Sequence, residues 1–328
     1  MAIYLTYDNE SLQDGFGAQA LRMLGVFSIA KSLKLNYIHS PMKSIVEEFA
    51  HSSTNFEHTN TVNRFNEFFK FPDQNHNVIF HKEFYLRNLS IKQLLRIILK
   101  YRFSRKIVLV KILLPFGITD RFPSIYKLGV NYLQCERKKD LDSKNESKIV
   151  CHVRLGYGWM YGEQTHVRKR KFLSPIYFSE LSSKIIYNYY PSSEVSIIVH
   201  SDVSEKDVLW KPQTRETLDG YRELTNDSRI EEILIRGRDL SKEFLPPPSR
   251  KIEFIYCGDA FETFLDMCRA DVLIMGVSAF SYLAGLLNRN QVFWPSVHGH
   301  SKLNHWKVET DVGLKLSHQH LETAGSWV

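Results

Sequence analysis

The chain has 328 residues, 43% of them hydrophobic and 24% charged, with a formal net charge of +7 at pH 7. This is an ordinary globular composition, and no run of about 18 uncharged apolar residues exists, which argues against a spanning helix. The length exceeds what one hydrophobic core usually serves, so two domains are expected, and the positive balance favours anionic ligands or surfaces.

The opening Met1–Asp8 stretch has no basic leader, and its apolar run is too short for a signal peptide. A soluble cytoplasmic or intracellular protein is therefore expected, with a catalytic domain cut from a longer membrane-anchored precursor left open. The 13 histidines show no pair at convincing metal-ligand spacing. The four cysteines, Cys135, Cys151, Cys257 and Cys268, form no C-x-x-C unit, and Cys151 and Cys257 adjoin apolar runs, so reduced, buried thiols are expected.

In chain order, Ile3 to Tyr7 alternates like a strand, and Asp14-Gly15-Phe16-Gly17 reads as a tight turn. Ala20, Leu21, Leu24, Phe27 and Ala30 then recur at helical spacing, and Leu35 to His39 predicts the next strand. Strand, glycine turn, helix and strand make a βαβ opening, though Gly-x-Gly is too short for a dinucleotide fingerprint. Ile91 to Leu114 mixes Leu, Ile and Phe with Lys92, Arg96, Lys100, Arg102, Arg105, Lys106 and Lys111. A domain helix with a solvated basic face, followed by a strand at Ile107 to Val110, is the preferred reading. Peripheral association with anionic lipid is the alternative.

Arg137 to Ser147 is polar and aperiodic and reads as a linker. It separates an N-terminal α/β domain, residues 1–146, from a C-terminal one, 147–300, with a tail, 301–328, that can cross back. In the second half, an apolar β-branched run follows Lys148 and stops where His152 and Arg154 arrive, further strands are predicted at Val195–Val199, Ile252–Tyr256 and Val272–Met275, and helices at Pro175–Tyr189 and Phe261–Arg269. Glu205 to Arg250 reads as a surface excursion. The alternation predicts a doubly wound sheet in each half.

Three places carry chemistry. His152-Val153-Arg154-Leu155-Gly156 ends an apolar β-branched run, and strand ends in open α/β sheets are where ligands bind. A guanidinium beside glycine backbone suits a phosphate, while an exposed Arg in a turn is the plainer account. Ser278-Ala279-Phe280-Ser281 opens an apolar helix, whose N–H groups and dipole can hold an anion, or which Ser278 simply caps. Both lie at strand ends of the same half and can converge on a diphosphate leaving group, with Asp14-Gly15-Phe16-Gly17 closing from the other half.

In order, the blocks Asp14–Ala30, His152–Gly156 and Ala270–Leu287 resemble the fucosyltransferase superfamily of α-1,2-, core α-1,6- and Nod-factor enzymes, and the Ser201-Asp202 strand end fits too. Together they cover roughly a fifth of the chain, and each is short. The resemblance implies a GT-B-like α/β fold, two doubly wound Rossmann-type domains facing an interdomain cleft. It also implies a nucleotide-sugar donor, GDP-fucose, bound mainly by the C-terminal half, and a glycan acceptor on the N-terminal side. Arg154 would hold the β-phosphate, His152 would lie near the nucleoside, and Ser278 or Ser281, with Ala279 and Phe280, would meet the diphosphate. Glu262 or Thr263 falls near the base-reading acid of the core α-1,6 enzymes, and Gly15, Phe16 and Gly17 complete the donor set.

Two features depart from the family pattern. Gly156-Tyr157-Gly158 lacks the acid many relatives carry after the Arg, and the run Arg168-Lys169-Arg170-Lys171 matches no motif and reads as solvated surface. The expected reaction is an inverting transfer in which a carboxylate takes the acceptor proton. Glu163 is the first choice for that base, with Asp14 and Glu10 as alternatives. Arg154 can replace a divalent cation, and the sole Asp-x-Asp, Asp140-Leu141-Asp142, falls in the linker, so neither metal nor cofactor is expected. Another donor such as UDP-xylose, a non-catalytic glycan binder and a nucleic-acid binder remain the alternatives, although the basic residues do not interleave with aromatics as a nucleic-acid groove needs. Ser296 to Trp306 reads as either a sugar-stacking tail or a packed Trp306. Acceptor, linkage and oligomeric state have no signature.

Overall fold

The structure is a computed structural model and describes residues 3–10, 15–42, 55–72, 78–142, 147–154, 173–191, 194–201, 244, 251–256, 258–317 and 320. Two compact units divide the chain. One comprises Met1–Asp142 with His300–Asn304, the other Ser143–Gly299 with His305–Val328. Each holds an all-parallel sheet, which fits the α/β expectation.

In the first unit the elements run β1 (Ile3–Tyr7), α1 (Phe16–Ser32), β2 (Asn36–Ile38), α2 (Asn55–Phe68), β3 (Lys82–Asn88), α3 (Ile91–Tyr101), β4 (Val108–Leu114), α4 (Phe116–Thr119), α5 (Tyr126–Glu136) and α6 (Lys138–Leu141). Sheet order is β2-β1-β4-β3. Helix α1 is mostly apolar and buried nearly throughout, Gln19, Arg22 and Ser28 included, as a central helix must be. Phe27 stacks on Phe71 at 4.3 Å and meets Tyr37 edge-on at 5.2 Å. Helix α5 approaches closely because Gly129 has no side chain. A Cβ there would stand 2.5 Å from both Leu24 Cδ1 and Ser28 Oγ.

Two expectations are corrected in this unit. Gly15 is the N-cap of α1, with extended backbone, and Phe16 and Gly17 are already helical, so this is a helix start rather than a tight turn. Phe16 is buried, stacked on Phe65 at 4.4 Å, which draws the helix start inward. The supposed linker is ordered as far as Asp142. Arg137 caps α5, and its guanidinium donates to the carbonyls of Glu67 and Phe68 at the end of α2, while α6 buries Leu141. Residues 143–146 lie outside the described set.

The second unit runs β5 (Lys148–Val153), α7 (Pro175–Tyr189), β6 (Ser196–Ser201), β7 (Ile252–Tyr256), α8 (Ala260–Arg269), β8 (Val272–Ile274), α9 (Ala279–Leu287) and β9 (Gln291–Phe293). Its order, β7-β6-β5-β8-β9, numbers 3-2-1-4-5 within the unit, the Rossmann pattern with its switch point between β5 and β8. Helices cover both faces. On one, Ile149, Cys151 and Val153 pack with Tyr177, Leu181 and Ile185 of α7. On the other, His152 and His200 meet α8 and α9. Burial drives the Cys151 thiol up to about 12 against the opposing hydrogen bond with Ser182, consistent with an inert core thiol.

Most of the Glu205–Arg250 excursion lies outside the described residues. Phe244, however, is buried in this core, 5.9 Å from the ring of Phe254, so at that residue the surface reading is corrected. Trp306 is likewise a core residue, edge-on to Tyr282 at 5.2 Å.

Candidate functional site

The switch point assembles residues that are far apart in sequence. Strands β5 and β8 pair from Ile149↔Val272 to Cys151↔Ile274, and beyond Ile274 the chain turns into α9 through Met275-Gly276-Val277-Ser278. Gly276 lies against the end of β5 so closely that a Cβ would stand 2.4 Å from the His152 carbonyl oxygen. Glycine is required there by contact, not by an unusual backbone angle. The β5 end, carrying His152 and Arg154, thus abuts the turn that delivers the N-terminus of α9.

At that N-terminus the two serines have different duties. Ser278 is the N-cap, extended at φ −146°, and its hydroxyl accepts from the Ser281 N–H at 3.1 Å. The Ser281 hydroxyl is wholly buried and donates to the Gly276 carbonyl at 2.7 Å, tying the turn to the first helical turn. Its hydrogen is therefore committed to backbone. Ala279 and Phe280 precede Ser281 in the first turn, where a helix presents N–H groups without intrahelical acceptors. Both are partly exposed. His298 places Nε2 3.4 Å from the Ser278 carbonyl oxygen.

His152 is buried, with its ring 5.6 Å from Phe280, which in turn lies 5.9 Å from Phe264. Its register partner on β6 is His200, so the two imidazoles sit side by side on one sheet face. His200 has Nδ1 3.3 Å from Thr263 Oγ1, and its Nε2 lies 3.2 Å from Asp266 Oδ2, out of line for a hydrogen bond. Thr263 therefore joins the strand ends, whereas Glu262 is exposed on the first turn of α8, its N–H capped by Asp259 at 2.8 Å.

Gly15, Phe16 and Gly17 belong to the first unit, at the start of α1, and Glu10 is exposed there. Glu163 and Asp14 lie outside the described residues, as do Gly156–Gly158 and Arg168–Lys171. Among the described residues no three His, Cys, Asp or Glu side chains converge as metal ligands would.

His200, Asp266 and Gly276 are not among the residues that the sequence motifs pick out for the site. A signal is present in the sequence: Val-Cys-His-Val-Arg and Ile-Val-His-Ser-Asp both place a histidine near the end of an apolar run, and the sheet sets them side by side.

No protein-family model and no curated protein matches this chain. Among the solved structures similar to it are fucosyltransferases. They include POFUT1 in complex with GDP-fucose (14% identity, TM-score 0.43, 93% of this chain and 96% of that one). An Arabidopsis thaliana FUT1 mutant in complex with GDP gives 12%, 0.41, 93% and 72%. NodZ α-1,6-fucosyltransferase soaked with GDP-fucose gives 12%, 0.38, 91% and 97%. Likeness at this level assigns neither family nor ligand to this chain, whose own residues have to carry the function.

Proposed function

We propose that this protein is a glycosyltransferase of the fucosyltransferase type, moving L-fucose from GDP-fucose to a glycan hydroxyl with inversion and without a metal ion. The observation that carries the reading is the abutment of the β5 end on the β8–α9 turn, with Gly276 against the His152 carbonyl. Arg154 directly follows β5, so on this reading a fixed cation would serve beside a helix N-terminus with a positive dipole end.

A departing nucleoside diphosphate gains charge on its bridging and terminal oxygens as the glycosidic bond breaks. Arg154 and the first-turn amides of α9 would take that charge in place of a divalent cation, and the Ser278 cap keeps those amides oriented. His152 and Phe280 offer an apolar, planar surface beside them for the nucleoside. A carboxylate, Glu163 first and Asp14 or Glu10 after it, would remove the acceptor proton on the opposite side.

A thermal-shift panel of GDP, UDP, GDP-fucose and UDP-xylose tests the reading. GDP and GDP-fucose should raise Tm by mass action, and Arg154→Ala should lose the shift while its unliganded Tm stays unchanged. Stabilisation by UDP and UDP-xylose alone would replace the donor, and an unchanged shift in Arg154→Ala would move the site elsewhere. Transfer should survive a chelator; loss that manganese restores would end the metal-free mechanism.

A further inference from the structure

Helix α3 has three kinds of surface. Leu94, Ile97 and Tyr101 face inward and are buried. Round from them lies a row that the fold leaves outside: Leu95 is 45% exposed, Leu99 67%, and Phe103, one residue past the C-cap, 89%. These recur every fourth residue and so line up along the helix. Beyond this row comes a second of the same spacing, Lys92, Arg96 and Lys100, all exposed, and Arg102, Arg105 and Lys106 continue the charge past the helix end.

Leu99 and Phe103 are among the most exposed apolar side chains of this unit, and with Leu95 they share one side of a single helix and its end, whereas others such as Ile79, Phe122 and Leu128 come from separate parts of the chain. Propensity does not explain them. The helix is secured without them by its buried face and by a full capping box, in which Ser90 accepts from the Gln93 N–H and Gln93 accepts from the Ser90 N–H.

The charge around the row is one-sided. From Phe84 to Thr119 the sequence holds no Asp or Glu. The acid before that stretch, Glu83, is already held by Lys111 at 3.0 Å, and the one after it, Asp120, by His300 at 3.1 Å. Among the described residues no carboxylate pairs with the α3 cations. Lys100 and Arg102 instead lie over the rings of Tyr101 and Phe103, at 5.8 and 5.5 Å.

We propose that α3 is a membrane-surface helix that docks this protein on an anionic bilayer, with Leu95, Leu99 and Phe103 entering the headgroup boundary and the flanking cations meeting lipid phosphates and carboxylates. An apolar row rimmed by cations that no described carboxylate neutralises complements that surface on both counts. The helix lies on the membrane rather than through it, since no helix among the described residues is long and apolar enough to cross. This assignment is independent of which sugar is transferred.

Flotation of the full-length protein with lipid vesicles tests it. The protein should float with phosphatidylcholine vesicles containing about 30% phosphatidylserine and stay behind with phosphatidylcholine alone. Raising salt from about 0.1 M to about 1 M, which shortens the Debye length from ~10 Å to ~3 Å, should release it. The double variant Leu99→Ser, Phe103→Ser should bind roughly tenfold more weakly or worse, as should the triple variant Arg96→Gln, Lys100→Gln, Arg102→Gln. All five side chains are exposed, so the thermal melts should match the parent and show that the variants fold. The assignment is overturned if the folded parent ignores phosphatidylserine vesicles at low salt, or if both variants bind as the parent does. It is equally overturned if the row proves to be covered by a second copy, seen as a dimer that Leu99→Ser dissociates without any vesicle binding. Salt-sensitive oligonucleotide binding with no vesicle binding would transfer the surface to nucleic acid.

Discussion

The two parallel sheets use their exposed surface in opposite ways. The second unit's central strands are buried on both faces, and its sheet gathers polar groups at strand ends, where His152, Arg154, His200 and Ser201 succeed apolar runs. The first unit's sheet closes over α1 but leaves its edge strand β3 open, with Glu83, Tyr85 and Arg87 exposed or half-exposed and Lys111 reaching across from β4. Strand ends at a switch point are fixed by backbone pairing and can hold a ligand with little reorganisation. An open edge and an amphipathic helix beside it offer area rather than geometry, which suits a surface more than a small molecule.

The comparison can be tested from its strongest consequence downward. Arg154→Ala should lower the rate of sugar transfer by about 10²–10³-fold, the loss typical of one charge-stabilising group, measured as kcat/KM on a glycan acceptor. Gly276→Ala pushes a Cβ into the His152 carbonyl and should cost ~1–3 kcal/mol in denaturant unfolding. Gly129→Ala, whose Cβ would meet the side-chain atoms Leu24 Cδ1 and Ser28 Oγ rather than backbone, should cost less. If the first unit proves the more sensitive of the two, the strand-end geometry is softer than described.

Alkaline pH probes the buried face of β5. The Cys151 thiol titrates near 12 when folded because of burial, against about 8.5 in an unfolded chain. The unfolded state therefore gives up that proton first. Stability is intact below about pH 8.5 and falls as pH rises toward about 12, on the order of 1 kcal/mol per pH unit for each such group. Cys151→Ala should flatten the slope of Tm against pH, leaving the share of Cys268, which burial also raises. Ser278→Ala removes the α9 cap and should cost about 1 kcal/mol, read from the shift in denaturant midpoint. Smallest of all, Glu83→Gln should change stability by no more than about 0.5 kcal/mol, even though its hydrogen bond from Lys111 holds the carboxyl below its ordinary range.

The second unit was the more legible in sequence. A strand covered on both faces reads as an unbroken apolar run, so the run after Lys148 is legible as β5, and the Ile252–Tyr256 reading matches the bounds of β7 although that edge strand is only partly buried. Strand β3 shows neither an apolar run nor a clean alternation, because neither of its faces is buried, and it was missed. Helix α5 was missed for a different reason: its inward face is built partly from Gly129, whose value lies in what it leaves out.

At the site, sequence located the strand end and the helix start, since both are local signals. It could not separate Ser278 from Ser281. Which hydroxyl caps and which binds the Gly276 carbonyl depends on the turn's path. Nor could it pair His152 with His200, a matter of register across 48 residues that only the sheet settles.

The five residues His300–Asn304 make each unit discontinuous in sequence. A recombinant fragment ending at Asp142 would lack the His300 imidazole, which binds the Asp120 carboxylate and lies 5.0 Å from the Phe116 ring, and the Ser301 hydroxyl on the Asp120 carbonyl. A single protease nick between the halves would accordingly leave two pieces that still hold on to each other. Splitting this protein into its two units for expression calls for three scissions, or for a short graft of the returning segment.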